Sequence, residues 1–315
     1  MSNQEPQSAR AVLMVRPARF GFNPETAATN LFQHDDGPAG GIPAHERVLA
    51  EIDALAEALA GAGVQVIVAE DTAVPVKPDA VFPNNWVSFH HDGTVVLYPM
   101  LAVNRRLERR EELIARVARE GSFRIARTVD LSHREAEGKY LEGTGSLVLD
   151  RASHIAYACL SARTDLDVLG EFAQQLDYEL MTFDALDGGA AIYHTNVLMA
   201  VGTHFAVVCG ASIQNTQHRN AVCSRLAATG HEIIDISLEQ MRRFAGNLLE
   251  FDCARGKLIA VSSAAWSALD PRQRRQLEGH GEIVAADIAT IERSGGGSVR
   301  CMLAEIHLPP RAQGS

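Results

Sequence analysis

Four segments of the chain repeat one pattern, and this repetition limits the fold more strongly than any other feature of the sequence. Each segment has an apolar run, a polar turn and a second apolar run, which is the pattern of a β-hairpin. The segment starts lie 60, 51 and 51 residues apart, at Asn85, Gly145, Asn196 and Asn247. Stretches of helical periodicity follow the hairpins, at 105–120, 165–176, 215–229 and 263–278, and each leads into one more strand.

The N-terminal part supplies a fifth, less regular copy: strand Ala11–Arg16, helix His45–Ala62 and strand Val64–Ala69. We expect the C-terminal strand Val299–His307 to pair with this copy and close a ring. Five ββαβ modules of 50 to 60 residues predict an α/β fold, a five-fold α/β propeller in which each module packs against its neighbours. Residues 1–315 then form a single catalytic domain, with 1–10 and 309–315 as flexible tails.

In such a ring the starts of equivalent strands converge near the axis. The alignment therefore predicts that Asn85 and Asn196 face one central pocket. Three further polar groups lie at or beside equivalent positions: Glu142, His194 and Cys301. Each of them alone is more often a structural residue than a catalytic one, and the shared register is what favours a common site.

A thiol, an imidazole and a carboxylate at one site suit nucleophilic catalysis. The thiolate of Cys301 is a strong nucleophile toward an electron-poor carbon. His194 can donate a proton to a departing amine and then activate water. Glu142 can accept a hydrogen bond from a substrate N–H or relay a proton. The glycine run 295–297 lets the backbone approach a ligand closely.

Composition excludes several classes of function. The formal net charge is −10, so the chain lacks the clustered positive charge that nucleic-acid binding requires. The basic run Arg105–Arg110 is interleaved with glutamates, and we interpret it as the solvated face of a helix. The N-terminus has no signal-peptide pattern, and no apolar run is long enough to span a membrane. We therefore expect a cytoplasmic protein.

Metal and cofactor signatures are absent from the sequence. The five cysteines are scattered without CxxC spacing, which argues against disulfides and structural zinc. His90, His91 and Asp92 precede a glycine in a hairpin turn, where a solvated turn is the better interpretation than a metal site. The glycine-containing segments fit neither GxGxxG nor a phosphate-binding loop. We therefore expect no metal and no cofactor.

Seven motifs resemble the guanidino-group-modifying superfamily, the pentein fold that includes arginine deiminases, dimethylarginine hydrolases, amidinotransferases and succinylarginine dihydrolase. The motifs cover nearly the whole chain, in the order of the family: MVRPARFGFNPETAATNLFQ (14–33), VFPNNWVSF (81–89), LEGTGSLVLD (141–150), CLSARTD (159–165), YHTNVLM (193–199), AGNLLE (245–250) and GGGSVRCM (295–302). The first of them is similar to the branch of citrulline-utilisation hydrolases.

The resemblance implies a role for each matching position. Cys301 matches the nucleophile, His194 the general acid and base, and Glu142 the carboxylate that contacts substrate nitrogens. Arg163 lies where the family has an arginine near the substrate carboxylate or in the wall of the active site. Asn23 lies in a loop that closes over the pocket in relatives.

Two departures from the family pattern indicate the substrate. Arginine deiminases have aspartates at the positions of Asn85 and Asn196, where a carboxylate pair binds a guanidinium cation. An amide does not neutralise a cation, but it both donates and accepts hydrogen bonds, as a neutral ureido group requires. The sequence thus favours a ureido substrate such as citrulline, converted to ornithine, CO2 and ammonia, or a guanidine that is hydrolysed past the ureido stage.

Alternatives remain open at this point. Within the superfamily, the chain could act on arginine, a methylated arginine or an amidino donor. A pentein-fold binding protein without activity is the alternative outside enzymes, but such a protein need not keep the cysteine, histidine and glutamate together. We expect a small amino-acid substrate as the partner, and a homodimer is left open.

Overall fold

The computed structural model describes residues 5–35 and 42–311, and for residues 42–44 it describes the backbone alone. Its strands are β1 Ala11–Arg16, β2 Gln65–Glu70, β3 Val87–Phe89, β4 Thr94–Leu97, β5 Arg127–Asp130, β6 Val148–Asp150, β7 Ile155–Cys159, β8 Glu179–Phe183, β9 Leu186–Asp187, β10 Ala190–Ala191, β11 Met199–Val201, β12 Phe205–Val208, β13 Glu232–Asp235, β14 Leu249–Cys253, β15 Gly256–Ser262, β16 Glu282–Ala286 and β17 Ala304–Ile306.

Helices connect these strands and flank the sheets. They are α1 Pro24–Ala27, α2 Ile42–Gly61, α3 Val103–Arg106, α4 Glu111–Glu120, α5 Gly143–Ser146, α6 Leu166–Leu176, α7 Thr195–Leu198, α8 Thr216–Ala228, α9 Leu238–Arg242, α10 Ser263–Ala268, α11 Pro271–His280 and α12 Ala289–Gly295. None of the helices in the described part of the chain is long and apolar enough to cross a membrane.

The predicted repeat unit is confirmed in all four hairpin segments. In each of them two antiparallel strands form the hairpin, and a third strand joins the second one in parallel after the intervening helix. Side-chain caps start the connecting helices where the sequence places them: Asp165 caps α6, Asn215 caps α8 and Asp270 caps α11.

The C-terminal strand pairs with the N-terminal copy, as the sequence predicts, but it is shorter than predicted. β17 runs antiparallel to β1 and meets β3 in parallel, so one sheet has the order β2-β1-β17-β3-β4-β5. Residues Val299–Met302, assigned to the strand from sequence, form a 3₁₀ turn instead. This turn ends the glycine run and presents Cys301 beside the strand starts.

Apolar clusters join neighbouring modules, which explains why one module does not fold alone. One cluster combines Leu13 of the N-terminal copy with Val95 of the first hairpin module. Another combines Val96 of the first module with Ala156 of the second. Short helical turns lie at the strand starts of several modules and pack on one another: Pro83–Asn85, α5, α7 and Val299–Met302. These turns position the site described below.

The prediction of flexible tails is wrong where the tails are described. The buried carboxylate of Glu5 pairs with Arg151 at 3.1 Å, and Ala9 forms a β-bridge with Phe251. At the other end Pro310 bridges to Phe123. The N-terminal segment thus has backbone and side-chain partners, and the C-terminal segment has backbone partners; such partners order a terminus. Residues 1–4 and 312–315 lie outside the described part of the chain.

Candidate active site

Side chains from several modules line one cavity at the converging strand starts. The lining residues are Thr26, Asn30, Asp79, Phe82, Asn85, Arg105, Arg163, Tyr193, His194, Gly295, Gly296, Gly297 and Cys301. The open space is about 10 Å³, which is room for one water molecule. Four of the residues selected from sequence line this cavity directly: Asn85, Arg163, His194 and Cys301.

Cys301 lies in the 3₁₀ turn after the glycine run, and its side chain is buried. The Nδ2 atoms of Asn196 and Asn247 are 3.5 Å and 3.4 Å from its Sγ. A Cβ on Gly297 would come 2.9 Å from the Phe82 ring and 3.4 Å from the Cys301 Cβ, so a side chain there would disturb the turn. Polar donors thus surround this thiol.

The other buried cysteines have a different environment. Cys159 lies on β7 in an apolar cluster, and burial raises the pKa of its thiol to about 12. Cys209 is likewise buried, and burial raises the pKa of its thiol as well. These two cysteines are therefore inert core residues.

His194 and Glu142 form a buried pair. The His194 Nε2 lies 2.9 Å from Glu142 Oε2, and burial lowers the pKa of His194 to about 4 although this bond opposes the shift. Burial opposes ionisation of Glu142, yet the Arg163 guanidinium and His194 hold the pKa of Glu142 well below its usual value. The ionised carboxylate only accepts, so Nε2 carries the proton and Nδ1 is the free base at neutral pH.

Glu142 is fully buried and does not line the cavity. Its Oε2 contacts His194 and accepts from Arg163, and its Oε1 accepts from the backbone N–H of Leu101. Both carboxylate oxygens thus have protein partners, and contact with substrate nitrogens stays a prediction. The helix α5 begins directly after Glu142.

Two site residues approach the Cα of Gly145 so closely that a side chain would not fit at this position. A Cβ there would lie 2.5 Å from Asn85 Nδ2 and 2.7 Å from His194 Nδ1. At this repeat position the second module therefore lacks the amide that the others carry. The space is used by polar groups from the first and third modules.

The orientation of the Asn85 amide is fixed by a cation. Its Oδ1 accepts from Arg105 Nη1 at 2.8 Å. If the amide were flipped, its NH2 group would face the guanidinium, which has only donors. Asn85 Nδ2 consequently lies on the side of the amide away from Arg105, next to Gly145, and it has no hydrogen-bond partner among the described residues.

The interpretation of the basic run as a solvated helix face is wrong for Arg105. The helix is interrupted between α3 and α4, and Arg105 is buried against the cavity. Its charge is compensated by Glu108 at 2.9 Å and by Asp79 at 3.8 Å. The signal in the sequence was Glu108, three residues after Arg105, because this spacing allows the two side chains to pair.

Asp79 was also missed, because a single aspartate in a loop before the first hairpin carries no motif. Its Oδ2 accepts from Asn23 Nδ2 at 2.8 Å and from the Thr26 hydroxyl at 3.2 Å. Its Oδ1 is buried without a partner in the described part of the chain. Burial raises the pKa of Asp79, although Arg105 and Asn23 oppose that shift.

Asn196 is buried on α7, two residues after His194. Because its Nδ2 is directed to Cys301 Sγ, its Oδ1 is left as an acceptor. That oxygen is buried and has no partner among the residues described. Asn85, which lines the cavity, thus has an unpaired N–H group, and Asn196, which does not line it but contacts the Cys301 sulfur, has an unpaired oxygen.

Residues 23–35, here called the lid segment, cover the cavity. Arg163 donates to the Thr26 carbonyl at 2.9 Å and to the Thr29 hydroxyl at 2.7 Å, and Asn30 Nδ2 donates to the Gly296 carbonyl at 3.1 Å. Asn23 caps α1 and contacts Asp79, but it does not line the cavity. Because so little space remains beneath it, the lid segment has to move before a substrate binds.

A second, larger cavity lies on the outer side of the lid segment. It has a volume of about 680 Å³ and is lined by Leu31, Phe32, His34, Asp187, Arg242, Arg243, Phe244, Ala264, Ala289, Glu292 and Arg293. The Phe32 ring packs against Phe244 at 5.1 Å and Tyr193 at 6.0 Å between the centroids. The lid segment thus separates this cavity from the catalytic one.

The predicted solvated turn at His90–Asp92 is only partly correct. His91 and Asp92 are exposed, but His90 is buried and bonds to the Ser88 hydroxyl at 2.8 Å. Burial lowers the pKa of His90 well below its ordinary value, and the Arg151 charge acts in the same direction. In the described part of the chain, no cluster of three or more potential ligands could hold a metal ion.

Known proteins share this fold. The N-terminal domain of ArgZ, an arginine dihydrolase from Cyanobacteria, is similar with a TM-score of 0.72 and 16% identity, over 94% of this chain and 97% of that one. An AgrE mutant bound to L-arginine has a TM-score of 0.74 and 17% identity, over 96% of this chain and 41% of AgrE. A dimethylarginine dimethylaminohydrolase adduct has a TM-score of 0.65 and 16% identity, over 95% of this chain and 100% of that one.

No curated protein matches the chain in sequence. The family described as "N,N dimethylarginine dimethylhydrolase, eukaryotic" matches residues 16–308, which is nearly the whole chain. The chain therefore belongs to the N,N dimethylarginine dimethylhydrolase family, within the guanidino-group-modifying superfamily, and is a hydrolase of non-peptide C–N bonds.

Proposed function

We propose that this protein hydrolyses the ureido group of a free amino acid, with citrulline converted to ornithine, CO2 and ammonia. The observation that carries the proposal is the pair of unpaired amide atoms at the site. Asn85 Nδ2 is a buried donor and Asn196 Oδ1 is a buried acceptor, and neither has a partner among the described residues. A ureido group supplies the complement, since its carbonyl oxygen accepts and its terminal NH2 donates.

A guanidinium group fits this pair less well. It carries only N–H donors, so it would leave Asn85 Nδ2 unpaired in a buried site. An unpaired buried donor costs about 1–3 kcal/mol. The two amides also bring no negative charge to offset the desolvation of a cation. The same pair therefore favours the neutral group.

Charged residues in the cavity wall suit the zwitterionic part of an amino acid. Asp79 Oδ1 has no partner in the described part of the chain, and we assign it to the substrate α-ammonium group. Arg163 donates to oxygens of the closed lid segment, and a substrate carboxylate could replace these oxygens once the segment moves. A guanidinium binds a carboxylate through two parallel hydrogen bonds.

The first half of the reaction forms a covalent intermediate. The Cys301 thiolate adds to the ureido carbon, and the carbonyl oxygen takes the negative charge, which the Asn85 N–H stabilises. The tetrahedral intermediate then collapses and expels the terminal nitrogen. The proton with which this nitrogen leaves as ammonia is the one that His194 Nδ1 accepts from the Cys301 thiol when the thiolate forms, and the product is an S-carbamoyl cysteine.

Hydrolysis of the intermediate completes the cycle. His194 Nδ1 removes a proton from water, the hydroxide adds to the carbamoyl carbon, and the C–S bond breaks to restore the thiolate. The released N-carboxy amino acid loses CO2 and leaves a free amine. Citrulline and one water thus give ornithine, CO2 and ammonia.

We also propose that the repeated modules close into a five-fold α/β propeller that forms one catalytic domain. The arrangement is supported by β17, which links the sheets of the N-terminal copy and the first module. Gln7 supports it too, because its Nε2 donates to the Leu149 carbonyl of the second module and the Val201 carbonyl of the third. A closed ring explains why the strand starts share one cavity.

Arginine hydrolysis is the second candidate, and the comparisons favour it. ArgZ is described as an arginine dihydrolase, AgrE binds L-arginine, and the family is named for dimethylarginine. The same thiol, imidazole and lid could convert arginine to citrulline and then to ornithine in two hydrolytic rounds.

Substrate profiling of the purified protein decides between these functions. Citrulline, arginine and N,N-dimethylarginine are incubated separately, and ornithine, citrulline, ammonia and dimethylamine are measured. The proposal predicts ornithine and ammonia in equal amounts from citrulline, without turnover of arginine. Ornithine from arginine would assign a dihydrolase, citrulline accumulating from arginine a deiminase, and dimethylamine a dimethylarginine hydrolase. Each of these three results would overturn the proposal.

A further inference from the structure

Asn247 occupies the fourth repeat start, the position equivalent to Asn85 and Asn196. It lies between α9 and β14, and its side chain is fully buried. The sequence motif AGNLLE marks its place in the repeat but gives no chemical role. The structure brings this third amide to the sulfur of Cys301.

Backbone groups fix the orientation of the Asn247 amide. Its Oδ1 accepts from the Arg300 backbone N–H at 3.0 Å, and its Nδ2 donates to the Asn196 carbonyl at 2.9 Å. A flipped amide would place two donors together at one end and two acceptors together at the other. Neither backbone group can change its role, so the amide has only one satisfied orientation.

The fixed amide directs its remaining N–H group toward the thiol. Asn247 Nδ2 is 3.4 Å and Asn196 Nδ2 is 3.5 Å from Cys301 Sγ. The Oδ1 atom of Asn247, which could accept a hydrogen bond from the thiol, lies farther from Sγ, at 3.8 Å. The contacts therefore suit a sulfur that accepts hydrogen bonds, and a thiolate is a far better acceptor than a thiol.

We propose that Asn247 is a catalytic residue that stabilises the thiolate of Cys301 together with Asn196. The inference rests on the proposed role of Cys301 as the nucleophile. A neutral ureido substrate brings no positive charge to the sulfur, so the donors have to come from the protein. The thiol proton passes to His194 Nδ1 in turnover and to bulk water when substrate is absent, and the two N–H groups remain hydrogen-bonded to the negatively charged sulfur.

Alkylation by iodoacetamide without substrate measures the thiolate directly. The rate at Cys301 is followed against pH by peptide mass spectrometry, with the half-buried Cys223 on α8 as the internal reference. Asn247→Ala removes the donor. Asn247→Asp keeps an acceptor for the Arg300 N–H and replaces the donor by an oxygen. The control Asn215→Asp makes the same exchange at an exposed helix cap, where aspartate serves equally well.

We expect the alkylation midpoint at Cys301 to rise by about one pH unit or more in both Asn247 variants. The midpoint at Cys223 should stay constant in all variants, and Asn215→Asp should match the wild type at both cysteines. Circular dichroism establishes which variants are folded, and either Asn247 variant alone is sufficient. An unchanged Cys301 midpoint in a folded Asn247 variant would overturn the inference.

The test separates this inference from the proposed function because it needs no turnover. Full activity of Cys301→Ser would remove the nucleophile from the mechanism. An unchanged alkylation midpoint beside an inactive Cys301→Ser would instead leave the mechanism intact and remove Asn247 from it. In turnover, Asn247→Ala should lower kcat about tenfold or more at neutral pH and leave KM within about twofold.

Discussion

The Nε2 atom of His194 lies 2.9 Å from Oε2 of Glu142, and both side chains are almost completely buried. The carboxylate fixes the tautomer of the imidazole, and it leaves Nδ1 as the proton acceptor. In the proposed mechanism the pair therefore determines which nitrogen of His194 performs the proton transfers.

Replacing Glu142 with Gln should lower kcat about 10²- to 10⁴-fold, because a neutral amide neither fixes this tautomer nor stabilises the imidazolium. Ammonia release at saturating citrulline is the measurement. Glu137→Gln is the matched control, since Glu137 pairs with Arg134 at the surface and does not line the cavity. Nearly equal rates for the two variants would remove Glu142 from the mechanism.

The pH dependence of kcat/KM follows from the environment of His194. Burial lowers the pKa of His194 to about 4, so the imidazole is neutral and basic above that pH. As the pH falls through about 4, protonation blocks Nδ1, and activity should be lost there rather than near 6.5. Because Glu142 raises the pKa of His194, Glu142→Gln should move the residual activity limb to lower pH. An acid limb near pH 6.5 in the wild type would contradict this account.

The sequence predicted most of the architecture, because the fold repeats one unit. The alignment of the repeats placed Asn85 and Asn196 at strand starts, and the structure brings both to one site. It could not separate a turn from a strand at Cys301, since apolar residues lie on both sides of the cysteine within 299–307 and suit one continuous strand. Periodicity describes a face of an element, and it does not show where a short turn redirects the chain.

The missed residues have a common physical cause. Arg105 and Asp79 are charged groups whose burial depends on contacts distant in sequence, with the Asn85 amide and Asn23 among the partners. A charged residue is exposed on base rates, so composition and local pattern assign it to the surface. Only the assembled site, with compensating charges around each group, explains their burial.

Asn85→Asp should reverse the substrate preference. The aspartate removes the N–H donor and adds an acceptor with negative charge, so kcat/KM for citrulline should fall about 10- to 100-fold. The rate for arginine should rise, or at least fall much less, because a carboxylate pairs with the guanidinium. The kcat/KM values for both substrates are compared within one variant, so losses of folding cancel in the ratio. A ratio equal to the wild type would contradict the role of Asn85.

Gly145→Ala should abolish most activity with little loss of structure. The added Cβ would come within 2.5 Å of Asn85 Nδ2 and 2.7 Å of His194 Nδ1, and both groups would have to move. Misplacement of this size costs about 100-fold in rate. Gly170→Ala is the control, because its Cβ has nothing within 4 Å and the site is on α6. That control should keep full activity and gain up to about 1 kcal/mol in the free energy of unfolding.

The central claim is that the Cys301 sulfur forms a covalent bond to the ureido carbon of citrulline. Acid quench during turnover, followed by mass spectrometry of the Cys301 peptide, tests it most directly. The account predicts a carbamoyl adduct that contains the ornithine portion of citrulline, present in the wild type, absent in Cys301→Ser and absent without substrate. Ornithine formation by Cys301→Ser at the wild-type rate, without any adduct on the wild-type peptide, would contradict it.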